Sequence, residues 1–552
     1  MASTPQPTKP RRGLRDRRAL RLLRNAPLAG SYTAAVALAL LALCPFIVLT
    51  TAASLFQAVL VKDLGTTVFG AALAGGLANA AYAFGAVASA DLIQRIPGRR
   101  LLVACEIGFV AGSLLAGLAS GIVVFTVGRF VQGLATGMLL VAALPPLVTK
   151  HGSERLPSTA AYVNLGLFGM VTLGPVVGGI AGDLDAWRVV FLTTGALGVA
   201  GGMLGLLAFE HADAARPGMS FDWLAIPLAV GATVLPFFGV AWLSAGGFTS
   251  AAFFVPVAAG LAGLLLLVVG QYRKREPLMP VRPITNTLPV VGTGGAMVVG
   301  AAFTTLIELV EVYLLMVEHR GPLAVGGLVS TQVVGIVLAA WLFKRVLPTK
   351  WTPVLALAGL LSVAVSATLL LVALRRGSAD AVVPIAGVLL GFGAGAGVAP
   401  GLFLAGFSVP SSKIGPTFAL VELLRSEAAF LIGPVLVALA ISVGLPGGIR
   451  LAIAITLGFV VVSGLTLVGV YLLGGARPHD PDLEGWLTGD DTAYHSPPSV
   501  RPGAERLKPR TRRTVAHEAL VVGWLVVDGR SVAGAATDCD NRRERRRWPV
   551  PS

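Results

Sequence analysis

Charged residues are scarce in this chain of 552 residues, since Asp, Glu, Lys and Arg together make up only 13%. An ordinary soluble domain carries about 25%. Apolar residues make up 55% of the chain, and its mean hydropathy is +0.80. So little polar surface could not cover several water-facing domains, which excludes a soluble multidomain protein. The composition predicts an all-α polytopic membrane protein whose helices face lipid and one another.

The sequence also lacks the features of several other classes. Its three cysteines, Cys44, Cys105 and Cys539, are too few for a disulfide framework, and the first two lie in apolar runs as small hydrophobic side chains. Glycine has no period of three, which excludes a collagen-like chain. The six histidines show no metal-ligand spacing, and no Gly-x4-Gly-Lys-Ser/Thr loop for ATP is present. We therefore expect neither an enzyme nor a metal site.

Fourteen apolar runs are long enough to cross a membrane, because a crossing takes about 20 residues for roughly 30 Å of hydrocarbon. They lie near residues 33–60, 67–90, 101–121, 123–147, 157–181, 189–209, 222–244, 251–271, 287–317, 323–346, 351–374, 381–407, 414–444 and 449–473. An even number of crossings places both termini on one side of the membrane.

The formal net charge of +15 is unevenly distributed along the chain. Basic residues crowd positions 9–24 and 542–547, and the loops on the side of the termini hold more Lys and Arg than the opposite loops. This asymmetry follows the positive-inside rule, so we expect both termini in the cytoplasm. The basic ends are expected to contact anionic lipid headgroups and not nucleic acid.

Motifs in three consecutive runs narrow this class. The fourth run carries Gly128-Arg129-Phe130-Val131-Gln132-Gly133, the fifth carries Gly166, Gly174-Pro175 and Gly178-Gly179, and the sixth opens with Trp187-Arg188-Val189-Val190-Phe191. These segments resemble signatures of the major facilitator superfamily, specifically its fourteen-helix drug:proton antiporter branch. The resemblance covers about residues 30–473. It implies the major facilitator fold, with 14 transmembrane helices arranged as two six-helix halves plus two linker helices.

The resemblance also implies a division of the chain into five parts. We expect a basic cytoplasmic segment (1–31), an N-terminal six-helix half (32–210), two inserted linker helices (211–275), a C-terminal six-helix half (276–474) and a cytoplasmic tail (475–552). The tail is polar and rich in Pro, Asp and Arg, so we expect it to be disordered.

The loop between the second and third runs, Gln94-Arg95-Ile96-Pro97-Gly98-Arg99-Arg100, resembles the family's cytoplasmic gating loop. The resemblance implies a latch of charges formed by Arg95, Arg99 and Arg100, with Gly98 allowing a tight turn. Gln94 stands where the family has an acid, and Asp91 lies three residues earlier. The alternative is that these arginines only fix the topology.

Arg129 is the charged residue of the fourth run, roughly 10 Å below the outer surface at 1.5 Å per residue. A charge at that depth costs at least about 2.5–3.5 kcal/mol, so it should face an aqueous cavity or a carboxylate. Together with Gln132, it resembles the family's fourth-helix signature, which implies that it couples protonation to conformation. The alternative is a structural arginine that bonds backbone carbonyls.

Acidic residues are rare at membrane depth. Glu308 and Glu311 are one helical turn apart on one face, where repulsion and low dielectric favour the binding of a proton. The first run, residues 32–60, has no charged residue, although the antiporter branch carries an aspartate there. We therefore place the proton site in the C-terminal half.

Three further glutamates lie in the apolar runs. Glu422 and Arg425 fall on one face of the thirteenth helix and are expected to form an ion pair. This pair is either structural or, as the resemblance implies for Arg425, part of the coupling machinery. Glu106 is expected near the cytoplasmic interface, and Glu427 is assigned no role.

Small residues mark two helices. Gly166 and the Gly174-Pro175…Gly178-Gly179 motif are expected to kink the fifth helix and to let a neighbour approach closely. In the antiporter branch this element seals the leak path, whereas the alternative is ordinary small-residue packing. A run of glycines at 391, 393, 395, 397 and 401 suggests a pliable or broken twelfth helix along the pathway.

These features together predict a proton-coupled efflux antiporter of the plasma membrane. We expect it to export hydrophobic or amphipathic small molecules by alternating access, powered by the proton gradient, without a cofactor and without an obligate protein partner. Two alternatives stay open: a proton-coupled importer of a metabolite, and a non-transporting membrane scaffold or sensor. The fifth-helix motif argues against the importer.

Overall fold

Fourteen helices in the described part of the chain are long and apolar enough to cross a membrane, which confirms the predicted number and the all-α class. The computed structural model describes residues 26–210, 222, 224–274, 277–477, 479–489 and 491–499. The basic segment up to residue 25 and the tail from residue 500 lie outside the described residues. The fourteen apolar helices make the chain a multi-pass membrane protein.

The first six helices contact mainly one another. Their bounds are Tyr32–Asp63 (α1), Val68–Arg95 (α2), Gly98–Gly117 (α3), Ile122–Thr149 (α4), Leu156–Asp183 (α5) and Trp187–Ala208 (α6). They are apolar on nearly all faces, as expected where lipid replaces water. Side-chain oxygens of Ser31 and Thr67 accept hydrogen bonds from backbone N–H groups in the first turns of α1 and α2, which caps both helices.

Two helices follow, and then a second group of six. The pair α7 (Ala225–Trp242) and α8 (Ala251–Arg273) packs together, and α7 also packs on α2. The second group comprises Thr287–Val312 (α9), Pro322–Val329 with Gln332–Val346 (α10, in two segments), Thr352–Ala373 (α11), Ala379–Phe407 (α12), Ile414–Val443 (α13) and Gly447–Leu473 (α14). A π-helical turn, Tyr313–Val317, extends α9.

The most extensive contacts between the groups of six are those of α5 with α10 and of α2 with α13. We call the side of the bundle where α1 begins and α14 ends the termini side, and the opposite side the far side. On the termini side, Leu147 of α4, Phe403 of α12 and Phe418 of α13 belong to one buried hydrophobic cluster. The two groups are therefore packed together on the termini side.

The glycine-rich helix α12 is continuous from Ala379 to Phe407, so of the two forms predicted for the twelfth helix, pliable or broken, the broken one is wrong. Its glycines make contacts instead: a Cβ atom on Gly397 would lie 2.8 Å from the Val299 side chain of α9, and one on Gly401 would meet the backbone of Gly292. The carbonyl of Gly395 accepts a hydrogen bond of 2.9 Å from Asn164 Nδ2 of α5. Small residues thus let several helices approach α12 closely.

Residues 479–499 fold against the termini side, apart from residue 490, which is not described. Trp486 is fully buried and donates from Nε1 to the carbonyl of Val409 at 2.8 Å, while its ring lies 4.7 Å from that of Phe407. The Thr287 amide at the start of α9 donates to the Pro497 carbonyl at 2.9 Å. The prediction of disorder from residue 475 is therefore wrong for this segment.

Candidate functional site

Arg129 lies seven residues after Ile122, where α4 begins on the far side. Its side chain is buried, with 3% of the residue exposed. Nη1 donates to Gln132 Oε1 at 3.1 Å, and Gln132 Nε2 in turn donates to Ser113 Oγ of α3 at 2.8 Å. Arg129 and Gln132, the two residues of the fourth-helix motif, are therefore joined in a hydrogen-bonded chain from α4 to α3.

Aromatic rings cover the rest of the guanidinium. Its central carbon lies 5.3 Å from the ring centroid of Phe46 and 5.7 Å from that of Phe191. Cation–π contacts of this kind contribute about 0.5–2 kcal/mol each. A buried charge without a counter-ion costs several kcal/mol, so these contacts offset only part of that cost.

Among the residues that the structure describes, no carboxylate forms an ion pair with Arg129. Within the described residues, the Arg129 guanidinium also donates no hydrogen bond to a backbone carbonyl, which was the alternative. A cavity of about 150 Å³ lies beside it instead, lined by Ala53, Ser54, Phe56, Gln57, Leu60, Ala71, Ala72, Gly75, Phe125, Arg129 and Phe191. Of the two predicted surroundings, a carboxylate or a cavity, the structure thus places Arg129 beside a cavity.

Glu308 and Glu311 lie in the far-side third of α9, just before its π-helical turn. Glu308 is half-buried and faces Gly433 of α13, where a Cβ atom would come within 2.5 Å of Glu308 Oε2. Nearby, Thr304 Oγ1 donates to the Ala429 carbonyl of α13 at 2.6 Å. The missing side chain at Gly433 thus makes room for the carboxyl group at the contact between α9 and α13.

Glu311 points to a different neighbour, although it shares the helix face. It is 3% exposed and interacts with Ser54 of α1. Ser54 also lines the cavity beside Arg129. Glu311 of the second group of six helices therefore reaches the edge of a cavity that belongs to the first group.

Glu422 and Arg425 form the ion pair predicted for the thirteenth helix. Arg425 Nε donates to Glu422 Oε2 at 2.9 Å, and Nη2 donates to Oε1 of the same carboxylate. Tyr82 of α2 reaches both side chains with its hydroxyl group, and its ring stacks on that of Phe46 at 5.4 Å. Contacts therefore run without interruption from Arg129 through Phe46 and Tyr82 to the ion pair on α13.

Two buried glutamates lie outside the predicted site. Both carboxylate oxygens of Glu106 and of Glu427 lack a hydrogen-bond partner within the described ranges. Glu106 is 1% exposed and lies against Gly201 of α6, so its carboxyl group is enclosed between α3 and α6. Their apolar surroundings could not be found from sequence, because the helices that cover them are distant in the chain.

The face of α13 on which Glu427 lies follows from Leu423 and Leu431, which stand one helical turn before and after it. Leu423 packs in a cluster with residues of α2, α7 and α8, and Leu431 packs with Ala80 of α2 and Phe237 of α7. Residues at i and i+4 share a helix face, so Glu427 lies on the face of α13 that meets α2 and α7. A sequence signal was present in this spacing, but it identifies the face and not the helices that cover it.

The fifth-helix motif packs α5 against two neighbours. A Cβ atom on Gly174 would come within 3.0 Å of the Val48 carbonyl of α1, and one on Gly178 within 2.8 Å of Ala52 Cα. On Gly179 it would lie 2.6 Å from the Pro322 carbonyl of α10.

The other two residues of the motif make contacts of the same kind. Gly166 faces the Leu40 side chain of α1, and the carbonyl of Pro175 lies where a Cβ atom on Gly326 of α10 would stand. The motif therefore holds α5 close to α1 and to α10.

The predicted gating loop forms contacts on the termini side. Arg95 pairs with Asp91 within α2, with Nη2 to Oδ1 at 2.8 Å and Nε to Oδ2 at 2.6 Å. Arg99 donates from Nη2 to the Leu206 carbonyl of α6, while Arg100 is exposed. Gly98 begins α3 after a two-residue turn from α2, and it has no positive φ, so this tight turn does not use the left-handed conformation that glycine allows. Its missing Cβ makes room for the ring of Phe209 instead.

The motif that opens the sixth run, Trp187 to Phe191, connects the far-side end of α6 to neighbouring helices through hydrogen bonds. Trp187 is fully buried and donates from Nε1 to Asp63 Oδ2 at the end of α1, at 3.0 Å. Arg188 Nη1 donates to the carbonyls of Gly117 and Ala119 at 3.2 and 2.7 Å. The motif therefore ties α6 to the ends of α1 and α3.

Two groups of six helices meet around buried ionisable side chains, an arrangement that is typical of membrane transporters. Residues 38–221 match the sequence model of the Major Facilitator Superfamily. The chain is 28% identical over 318 residues to an uncharacterised transporter of this type, YubD of Bacillus subtilis, covering 56% of this chain and 62% of the relative. It is 25% identical over 310 residues to a multidrug resistance protein B homolog of Mycobacterium tuberculosis, covering 56% and 57%.

Solved structures agree with these sequence matches. The peptide transporter POT in complex with sulfate superimposes with a TM-score of 0.56 at 19% identity, covering 82% of this chain and 97% of that one. At this identity the likeness concerns the fold. The chain is therefore similar in sequence to the Major Facilitator Superfamily over residues 38–221 and similar in fold to this solved transporter. It spans less than two thirds of the length of the two relatives named above.

Proposed function

We propose that this protein is a proton-coupled antiporter that exports hydrophobic or amphipathic small molecules by alternating access. The observation that carries the proposal is Glu308, a half-buried carboxyl group at the contact between α9 and α13, without an ion pair to any described residue. A carboxyl group there can gain a proton when the site is enclosed and lose it when water enters. The name of the mycobacterial relative, a multidrug resistance protein B homolog, supports export.

The proposed cycle uses the two pairs of helices that join the halves. On the far side, Gly179 and Gly326 let α5 and α10 approach closely; on the termini side, the halves share a hydrophobic cluster. Protonated Glu308 fits the packed contact with Gly433, whereas the ionised group favours the hydrated, open arrangement. Alternation between these contacts would carry a proton inward and substrate outward, without a cofactor.

The proposed orientation places the termini side in the cytoplasm of a cell with a proton gradient across its plasma membrane. The gating arginines Arg95, Arg99 and Arg100 then lie at the cytoplasmic surface, where Lys and Arg are enriched and anionic lipid headgroups are available. The Asp91–Arg95 pair supplies the acid that the loop itself lacks at position 94.

The test compares Glu308→Gln with the wild type in proteoliposomes. A panel of neutral, cationic and anionic amphipathic dyes is loaded, a pH gradient is imposed and efflux is recorded. We expect gradient-driven efflux to fall at least tenfold in Glu308→Gln, since the amide cannot carry the proton, while counterflow without a gradient persists. Glu154→Gln, the same change at an exposed glutamate, should behave as wild type. Gradient-driven efflux at the wild-type rate in Glu308→Gln would refute the assignment.

A further inference from the structure

Arg129 differs from Arg425, which is also deep in the bundle, in having no counter-ion among the described residues. Arg425 is paired with Glu422, which lies one turn earlier on the same helix. The hydroxyl group of Tyr82 also interacts with Arg425. Arg129 has one neutral amide and two aromatic rings, and no described carboxylate pairs with it. A guanidinium cannot give up its proton inside a protein under ordinary conditions. Its charge therefore needs an anion that the described helices do not supply.

The cavity beside Arg129 has the chemistry of an anion site. Gln57 adds an amide donor to the guanidinium in its wall, and Ser54, which also interacts with Glu311, adds a hydroxyl group at the edge. A planar guanidinium binds carboxylate and sulfonate groups through two parallel hydrogen bonds. Polar donors and a fixed positive charge thus converge from α1 and α4.

The remaining wall of the cavity is apolar and aromatic. Phe56, Phe125 and Phe191 line it together with small residues of α2. Its volume is about 150 Å³, and an apolar cavity of roughly that size holds a benzene ring. A ligand that places one aromatic ring against the phenylalanines and its acidic group on Arg129 would satisfy both parts of the wall.

We propose that the Arg129 cavity is a binding site for organic monoanions, in which an aromatic or similarly apolar body carries one carboxylate or sulfonate group. If the proposed export function holds, on which this part rests, the site narrows its substrates to anionic amphipaths. The binding itself does not depend on transport. Phe46 and Tyr82 then connect the occupied site to the Glu422–Arg425 pair at the contact between the halves.

The test measures binding to the purified full-length protein in phosphatidylcholine nanodiscs by calorimetric titration. Benzoate is compared with benzamide, which has nearly the same shape and no charge. We expect benzoate to bind at least tenfold more tightly to the wild type. This preference should disappear in Arg129→Gln and also in Gln57→Glu, which places a carboxylate in the cavity wall. Arg345→Gln, the same loss of charge at an exposed position on α10, should keep the preference.

Several results would overturn the proposal. Equal affinities for benzoate and benzamide in the wild type, or an undiminished preference in both folded cavity variants, would remove Arg129 as the anion-binding group. Displacement of benzoate by chloride at equal concentration would reduce the site to one for inorganic ions, and loss of benzoate binding in phosphatidylglycerol nanodiscs would assign it to a lipid headgroup. Benzoate preference together with export of neutral or cationic dyes but of no anionic dye would uphold the site and refute the narrowing of the substrates to anionic amphipaths. Benzoate preference without export of any dye would uphold the site and refute the proposed transport.

Discussion

The two groups of six helices treat a deep arginine in opposite ways. In α9–α14, Arg425 is neutralised within its own helix by Glu422, and further acids, Glu308 and Glu311, lie on α9. In α1–α6, Arg129 is surrounded by aromatic rings and a cavity. The comparison indicates that the Glu422–Arg425 ion pair stabilises the packing of the bundle, whereas Arg129, which pairs with no described carboxylate, has its charge available to bind an anionic ligand.

This difference divides the proposed tasks between the halves. The second half provides the carboxyl groups that can exchange protons, and the first provides the cation that can hold an anionic substrate. The two meet where Glu311 interacts with Ser54 at the rim of the Arg129 cavity and where Tyr82 reaches the Glu422–Arg425 pair. Each contact joins helices of different halves, so each can change when the halves move relative to each other.

The largest expected effect comes from breaking the ion pair in the second half. Glu422→Gln leaves the Arg425 charge without its carboxylate, and removing one partner of a buried pair destabilises a protein by about 3–5 kcal/mol. Unfolding in detergent, followed by circular dichroism, would measure the loss. The double variant Glu422→Gln/Arg425→Gln should recover most of it, because no buried charge remains. A stability of Glu422→Gln equal to that of wild type would show that the pair is not what distinguishes the halves.

The next effect tests whether the folded tail segment belongs to the second half. Trp486→Ala removes a fully buried ring that packs on Phe407 and bonds the Val409 carbonyl, and truncation of a buried tryptophan costs about 3–5 kcal/mol. Because the segment that carries Trp486 packs on the edge of the bundle and not in its centre, we expect the lower end of this range, about 3 kcal/mol. Hydrogen exchange should rise at the termini-side ends of α12 and α13 and stay unchanged at the far-side end of α4. Trp486→Phe should retain most of the protection. Uniform exchange over both halves would contradict a local role.

Sequence reasoning was most successful where the signal is local. The fourteen crossings follow from run length, and the Glu422–Arg425 pair follows from a spacing of three residues on one helix. It was less successful where distant helices decide the outcome. The partners of Arg129 come from α1 and α6, Glu427 is covered by α2 and α7, and Trp486 is buried by residues about 80 positions away. Side-chain periodicity identifies a buried face but not the helix that covers it.

The glycines of α12 show the same limitation in another form. Their number suggested a broken helix, since glycine weakens a helix in water. In a membrane bundle the backbone retains its own hydrogen bonds, because no water competes for them. Glycine then acts through size: Gly395 accepts the Asn164 amide and Gly401 meets Gly292 of α9. The glycine content of α12 was identified correctly, but in a membrane bundle it leads to close helix packing and not to a break in the helix.

Arg129→Gln is expected to have a smaller effect on stability than Glu422→Gln, and of opposite sign. The variant removes an uncompensated buried charge and keeps an amide that can bond Gln132, so we expect a gain of about 1–2 kcal/mol. Melting temperatures of the ligand-free protein at matched pH would measure it. Addition of benzoate should stabilise the wild type and leave the variant unchanged. A destabilisation as large as that of Glu422→Gln would mean that Arg129 also has a counter-ion, and the comparison between the halves would fail.

The smallest effect is expected at an exposed ion pair of the first half. Lys150 Nζ lies 2.7 Å from Glu210 Oε2, with about half of each side chain exposed, and the hydrogen bond and charge of Lys150 lower the pKa of Glu210. A lowered pKa in the folded state contributes stability above the ordinary glutamate value of about 4.3, and this contribution is lost as the pH falls through the folded value. Solvent screening limits it to well under 1 kcal/mol. Glu210→Gln should therefore fall only slightly below wild type at pH 7, and this difference should shrink as the pH is lowered through the folded-state pKa of Glu210, with Glu154→Gln unchanged throughout. A loss as large as that at Glu422 would show that pairing alone, and not burial, sets the difference between the two halves.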